Sequence, residues 1–165
     1  MLSVAHMLGA GCTALAPGRS FERDALLDEI EAWRMLLEVR GARVVGLLAD
    51  NAPEWITADL GIRAAGAVCV ALPSFFADAQ LEHVIASAGI DYVLTDMPQR
   101  LIGLDIGLRS AGTHRGFDVL ARDVDAEPAL HPHTVQMTFT SGSTGRPKGV
   151  CLGAASGTRL AEALA

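Results

Sequence analysis

Three stretches, Arg43-Val-Val-Gly-Leu-Leu-Ala49, Asn51-Ala-Pro-Glu54 and Ala67-Val-Cys-Val-Ala-Leu72, decide the fold class of this chain. The first and third are short, nearly continuous apolar runs, the pattern of a strand covered on both faces. Between them, Asn51 is an N-cap type residue with Glu54 three positions later and Pro53 in the first turn, which starts a helix running through Trp55 and Leu60 to Gly66. The pattern then repeats. Pro73-Ser-Phe-Phe76 reads as a loop, Asp78 as a cap, and Leu81, Val84, Ile85 and Ala88 as the apolar stripe of a helix closed by Gly89, followed by a third strand at Tyr92–Thr95. Strands separated by single helices imply right-handed crossovers, so the expectation is an α/β fold with a mainly parallel sheet and helices on both faces.

Upstream, Leu26, Ile30, Trp33 and Leu37 recur at helical spacing within 20–39, with Leu27 and Leu36 widening the stripe and Gly41 placed to cap its end. Both tryptophans, Trp33 and Trp55, fall at core spacing, and packing is the expected role of each. Downstream, residues 98–132 carry a weak signal with one short strand at Phe117–Leu120. Val135, Met137 and Phe139 alternate with Gln136 and Thr138 as in a half-buried strand, and Val150–Leu152 resumes an apolar strand pattern. The last residues, 154–165, read as the first turns of another helix.

The 165 residues are 50% hydrophobic and 19% charged, which excludes a disordered acidic tail or a low-complexity linker. A net charge of −6, with no basic stripe, argues against a nucleic-acid partner. Cys12, Cys69 and Cys151 are widely spaced, with no Cys-x-x-Cys, and read as reduced packing thiols. The first fifteen residues contain His6, lack a basic flank and are too short to span a membrane, so a cytoplasmic protein without a membrane span is expected. Of the 13 basic residues only Lys148 is a lysine. In an arginine-rich chain, a retained ammonium marks a position where a compact point charge differs in use from a planar fork.

Lys148 closes the stretch Thr140-Ser-Gly-Ser-Thr-Gly-Arg-Pro-Lys-Gly149, which joins strand to strand. Ser141, Ser143 and Thr144 supply hydroxyl donors. Gly142 and Gly145 leave the backbone free to turn several N–H groups onto one anion, Pro147 stiffens the exit, and Lys148 adds positive charge. A polyphosphate needs such a set. The stretch is not a Walker A loop, because Lys148 is followed by Gly149 and a strand rather than by Ser or Thr opening a helix.

Thr138-Phe-Thr-Ser-Gly-Ser-Thr-Gly-Arg-Pro-Lys-Gly-Val-Cys-Leu152 closely resembles the phosphate-binding signature of the acyl-adenylate-forming superfamily: acyl-CoA synthetases, luciferases and adenylation domains of peptide synthetases. Asn51-Ala-Pro-Glu-Trp55 and Ala64-Ala-Gly-Ala-Val-Cys-Val-Ala-Leu72 are similar, in the same order, to the N-terminal part of such a domain. The resemblance implies that residues 1–165 are the N-terminal portion of an adenylation (AMP-binding) domain, ending just after its phosphate-binding loop at 138–150. It also implies ATP-dependent activation of a small-molecule carboxylic acid to an acyl-adenylate, release of pyrophosphate and transfer to a thiol, with ATP, Mg²⁺ and coenzyme A as cofactors. Thr140, Ser141, Gly142, Ser143, Thr144, Gly145 and Lys148 would bind the nucleotide's phosphates. No catalytic residue is assigned.

Pro73-Ser-Phe-Phe76 and the following Ala79-Gln-Leu-Glu-His83 depart from the Asp-Pro and Tyr-Pro pattern of peptide-synthetase domains and favour an acyl- or aryl-CoA ligase. Superfamily members continue well beyond the length of this chain, so it is expected to be inactive alone. Pyrophosphate release from ATP and a fatty-acid mixture by the purified chain would contradict that expectation. Two alternatives stand beside the ligase: part of a peptide-synthetase-type adenylation domain, and a degenerate or regulatory domain that associates with a partner chain through its unfinished sheet, or with the missing C-terminal portion. His131 and His133 have a metal-compatible spacing but no visible third ligand, so no metal site is expected. His83 reads as a solvated helix face, and Asp91, Asp96 and Asp105 are too scattered for paired-carboxylate chemistry.

Overall fold

The structure is a computed structural model that describes residues 14–16, 19–124, 130–140 and 146–154. Strands β1 (Ala14–Ala16) and β2 (Arg19–Phe21) form a small antiparallel pair. After them come α1 (Arg23–Val39), β3 (Val44–Leu48), α2 (Pro53–Ala64), β4 (Val68–Ala71), α3 (Asp78–Ser87), β5 (Tyr92–Thr95), a 3₁₀ turn at Pro98–Arg100, β6 (Arg109–His114), β7 (Phe117–Ala121), β8 (Thr134–Thr140) and β9 (Lys148–Gly153). The main sheet has the order β6-β7-β5-β3-β4-β8-β9. Its centre, β5-β3-β4-β8, is parallel, as the alternation of strands and helices requires; both flanks are antiparallel hairpins.

Two layers of side chains sandwich this sheet. Val44, Leu48, Val70, Val93 and Met137 face α3, where Leu81, Val84 and Ile85 meet them. Val45, Leu47, Cys69 and Leu94 face the other way, onto Trp33 and Leu37 of α1 and Ala58 and Ile62 of α2. Helices therefore cover both faces, as expected. Trp33 is fully buried. A Cβ at Gly61 would lie 2.3 Å from the Trp33 Cβ and 3.0 Å from the Ile30 carbonyl oxygen, so glycine lets α2 approach α1 this closely.

Some boundaries differ from the sequence reading. Ser20 belongs to β2, and α1 begins at Arg23. Ala52, not Asn51, is the N-cap of α2, and Pro53 is its first helical residue. Ala77, not Asp78, caps α3, and its N–H donates to the Gln80 Oε1 at 3.0 Å. Strand β6 was not anticipated, because an exposed edge strand reading Arg-Ser-Ala-Gly-Thr-His has no apolar alternation. Among the described residues no helix is long and apolar enough to cross a membrane.

The β6–β7 hairpin is held against α1 by side chains. Arg40 donates to the Ala111 carbonyl at 2.9 Å, Arg115 pairs with Glu29 at 2.9 Å, and the edge of Trp33 meets His114 at 4.7 Å and Phe117 at 5.7 Å. The His114 Nε2 is buried without a hydrogen-bond partner. That burial, reinforced by the Arg115 charge and opposed by Glu29, holds the imidazole below its ordinary value.

Gly61→Ala is expected to lower stability by about 1–3 kcal/mol through overpacking against Trp33, read as a lower urea midpoint with an unchanged slope. Because the folded His114 resists a proton that the unfolded chain accepts below about pH 6.5, stability should fall as pH drops through that value and level off beneath the lower folded value. His114→Phe should therefore show a smaller loss of urea midpoint between about pH 7.5 and about pH 5.5 than the natural chain does.

Candidate functional site

Strands β8 and β9 form an antiparallel hairpin in which Thr138 pairs with Val150, Phe139 with Gly149 and Thr140 with Lys148. Thr140 and Lys148 thus form the stem of the loop singled out from the sequence. Ser141, Gly142, Ser143, Thr144 and Gly145 lie outside the described residues. Arg146 is exposed and Pro147 is buried where the chain enters β9. A Cβ at Gly149 would stand 3.1 Å from both the Met137 Cε and the Phe139 Cζ, so glycine lets the cross-strand aromatic ring lie over the backbone beside Lys148. The Lys148 side chain is exposed, and among the described residues it enters no ion pair. An ammonium and a hydroxyl borne on paired strand positions suit a polyphosphate. Hydroxyls and an ammonium are poor ligands for a bare hard cation, so Mg²⁺ would arrive carried on the phosphates.

The hairpin is positioned by β4. Because β4 and β8 are parallel, with Val70 opposite Met137, three further residues along each strand put Thr140 at the height of Pro73. At this carboxyl end the loops after β3 and β4 diverge: β3 leads into α2 on one face of the sheet, and β4 leads into α3 on the other. Adjacent strands whose connections leave toward opposite faces open a crevice between their ends, the place where open α/β sheets bind ligands.

Here that crevice has a volume of about 290 Å³ and is lined on the β3 side by Leu47, Asp50, Asn51 and Trp55 and on the β4 side by Ala71, Pro73, Ser74 and Phe75. Its walls mix apolar surface with a few polar groups, as small-molecule sites do. Trp55 packs against the core layer beneath α2, as expected, but is only half-buried and also faces this opening from the first turn of α2. In the opposite wall the Phe76 N–H donates to the Pro73 carbonyl at 3.1 Å, closing a turn that buries Phe76 and leaves Phe75 83% exposed. The sequence marks Asn51-x-Pro-Glu-Trp55 and Pro73-Ser-Phe-Phe76 as segments but carries no local signal that joins them into a site.

Other residues named from the sequence lie elsewhere. Asp91 is buried at the amino end of the sheet, where its carboxylate accepts the Arg43 and Val44 N–H groups at 2.9 and 3.0 Å and so fixes the start of β3. Asp96 accepts the Asp50 N–H at 3.4 Å, and Asp105 is exposed. His131 and His133 are both exposed in the turn before β8, and His83 is half-buried on α3. Cys69 is a packing thiol as expected, with its pKa pushed well up by burial and by neighbouring Asp59. Cys151 is exposed: on the outermost strand nothing among the described residues covers it, which corrects the expectation of a packed thiol. Cys12 lies outside the described residues.

The family model described as AMP-binding enzyme matches residues 32–164. Phosphinothricin tripeptide synthetase PhsC of Streptomyces viridochromogenes is 30% identical over 161 residues, covering 91% of this chain and 15% of that protein. Long-chain-fatty-acid–CoA ligase 6 of Rattus norvegicus is 27% identical over 139 residues, covering 66% of this chain and 20% of that protein. Among solved structures, the amide bond synthetase McbA from Marinactinospora thermotolerans superposes with a TM-score of 0.72 at 24% identity, covering 97% of this chain and 35% of that one. The N-terminal domain of FACL13 from Mycobacterium tuberculosis superposes with a TM-score of 0.63 at 18% identity, covering 92% and 44%. These structural likenesses establish the fold, and the chain spans a fifth or less of the two curated relatives.

Proposed function

We propose, from the premise that this chain belongs to the AMP-binding enzyme family, that it supplies the phosphate-gripping part of an enzyme that activates a carboxylic acid as its acyl-adenylate. The observation that carries the reading is the hairpin stem, where Lys148, in no ion pair among the described residues, stands across the strand ladder from Thr140, at the carboxyl edge of the sheet that holds the switch-point crevice. Negative charge builds on the β- and γ-phosphates of ATP as the acid's carboxylate attacks the α-phosphorus. Thr140, Ser141, Ser143, Thr144 and Lys148, with backbone N–H groups freed by Gly142 and Gly145, would bind that charge as pyrophosphate departs. Mg²⁺, were it carried on the nucleotide, would add charge neutralisation there. The crevice between the ends of β3 and β4, whose walls are both polar and apolar, would take the organic reactants.

The acceptor we favour is the thiol of coenzyme A, on the strength of Pro73-Ser-Phe-Phe76 and of the likeness to a fatty-acid–CoA ligase. A second reading, a peptide-synthetase-type adenylation domain, is favoured by the tripeptide synthetase among the relatives, whose similarity extends over 91% of this chain. Both readings use the same loop. The proposed location is the cytoplasm, and among the described residues β9 is the outermost strand on its side of the sheet.

Titration of inorganic pyrophosphate with Mg²⁺ into the protein tests the loop. Loss of one charge-assisted contact, about 1.5–3 kcal/mol, should weaken binding roughly tenfold or more in Lys148→Ala. Equal binding by the variant and the natural chain would remove the basis of this reading.

A further inference from the structure

The turn that forms one wall of the crevice is held from outside the crevice. Strand β5 ends at Thr95, which is fully buried and whose Oγ1 accepts the Met97 N–H at 3.0 Å. The chain then enters the 3₁₀ turn, with the Arg100 N–H on the Met97 carbonyl at 3.0 Å and the Leu101 N–H on the Pro98 carbonyl at 2.9 Å, and the Leu101 side chain is anchored in the core. The backbone of Arg100 is therefore fixed on both sides. From there its Nη2 donates to the Phe76 carbonyl at 2.6 Å and lies 3.6 Å from the Asp78 carboxylate at the start of α3. Phe76 closes the turn whose outer residues, Ser74 and Phe75, face Asn51 and Trp55 across the opening. Arg100 itself does not line the crevice.

We propose that Arg100 is a positioning residue for this site: reaching from the loop after β5 to the carbonyl of Phe76, it sets where the Pro73–Phe76 turn stands and so how wide the crevice opens toward Trp55. The opposite wall is tied to the same loop, since the Asp50 N–H donates to Asp96 at 3.4 Å. The segment after β5 thus spans the end of β3 and braces both walls. A guanidinium suits the task, because it presents several fixed donors and reaches a carbonyl and a carboxylate together. The relevance of this brace to turnover rests on the proposed function, in which reactants enter the crevice; the brace itself is a property of the fold.

The chain contains two tryptophans, so incorporation of 5-fluorotryptophan gives one fluorine resonance at the crevice, from Trp55, and one in the core, from Trp33. Trp55→Phe assigns them. In Arg100→Met the Trp55 resonance is expected to shift or broaden and the amide hydrogens of Phe76 and Ala77 to exchange roughly tenfold faster, while the Trp33 resonance stays in place. Arg100→Lys, which restores a charged donor with a different reach, should fall between the natural chain and Arg100→Met. Should the methionine variant fail to fold, Arg100→Gln carries the same test, and the 36% exposure of this side chain suits a polar replacement. An unmoved Trp55 resonance with unchanged Phe76 and Ala77 exchange overturns the proposal, as does a change in which Trp33 moves equally. A failed pyrophosphate titration at Lys148 would instead remove the functional reading and leave the fluorine result intact.

Discussion

Strand β3 has no face that water can reach, and the rest of the structure follows from that constraint. All five residues, Val44 to Leu48, are buried, with Val44 and Leu48 pointing to one layer and Val45 and Leu47 to the other. Gly46 stands between them because a Cβ there would meet Leu72 Cδ1 at 2.9 Å and Ile90 Cδ1 at 3.2 Å. A strand buried on both sides needs helices on both sides. The chain supplies them by crossing from β3 to β4 through α2 on one face and from β4 to β5 through α3 on the other, which places β4 and β5 on either side of β3. Two connections that leave adjacent strands toward opposite faces cannot fill the space between their starting points. The crevice is a geometric consequence of burying β3.

Much of this was legible from the sequence because the information is local. Apolar runs of strand length and stripes of helical period located β3, α2, β4, α3 and β5, and Tyr92–Thr95 agrees in both boundaries. Helix ends were legible for the same reason. Gly41 at φ 63° follows α1, with the Gly41 N–H on the Glu38 carbonyl and the Ala42 N–H on the Leu37 carbonyl, a Schellman end that recurs at Gly66 and Gly89. Helix starts were less legible, since the side chains of Asn51 and Asp78 advertise a cap, but the backbone turns one residue away from each, at Ala52 and Ala77. Strand β6 was missed because its existence depends on β7 and α1 rather than on its own residues: Arg40, Trp33 and Glu29 hold a segment whose composition carries no strand signal.

The two halves of the candidate site differ in the same way. The proposed phosphate-binding loop is a contiguous text in which hydroxyls, glycines and an ammonium crowd into the ten residues from Thr140 to Gly149, so the proposal can be made without coordinates. The crevice is assembled from segments some twenty residues apart, joined only by the register of β3 with β4. Trp55 illustrates the difference. At helical spacing an indole is indistinguishable from a core residue, and only the divergence of the two loops leaves it half-buried at an opening.

The placement of Lys148 joins the halves. Its backbone belongs to the β8–β9 ladder, opposite Thr140, so the origin of the ammonium is set by the sheet. Strand β8 is held in turn by β4, the strand that also leads to the crevice wall. Gly149 permits the Phe139 ring to approach the backbone next to that position. In a chain with twelve arginines, the retained lysine places a compact point charge rather than a planar fork at this stem. A compact ammonium fixed at its Cα and unpaired among the described residues remains available to an incoming anion, and the sheet delivers it at the level where the crevice opens.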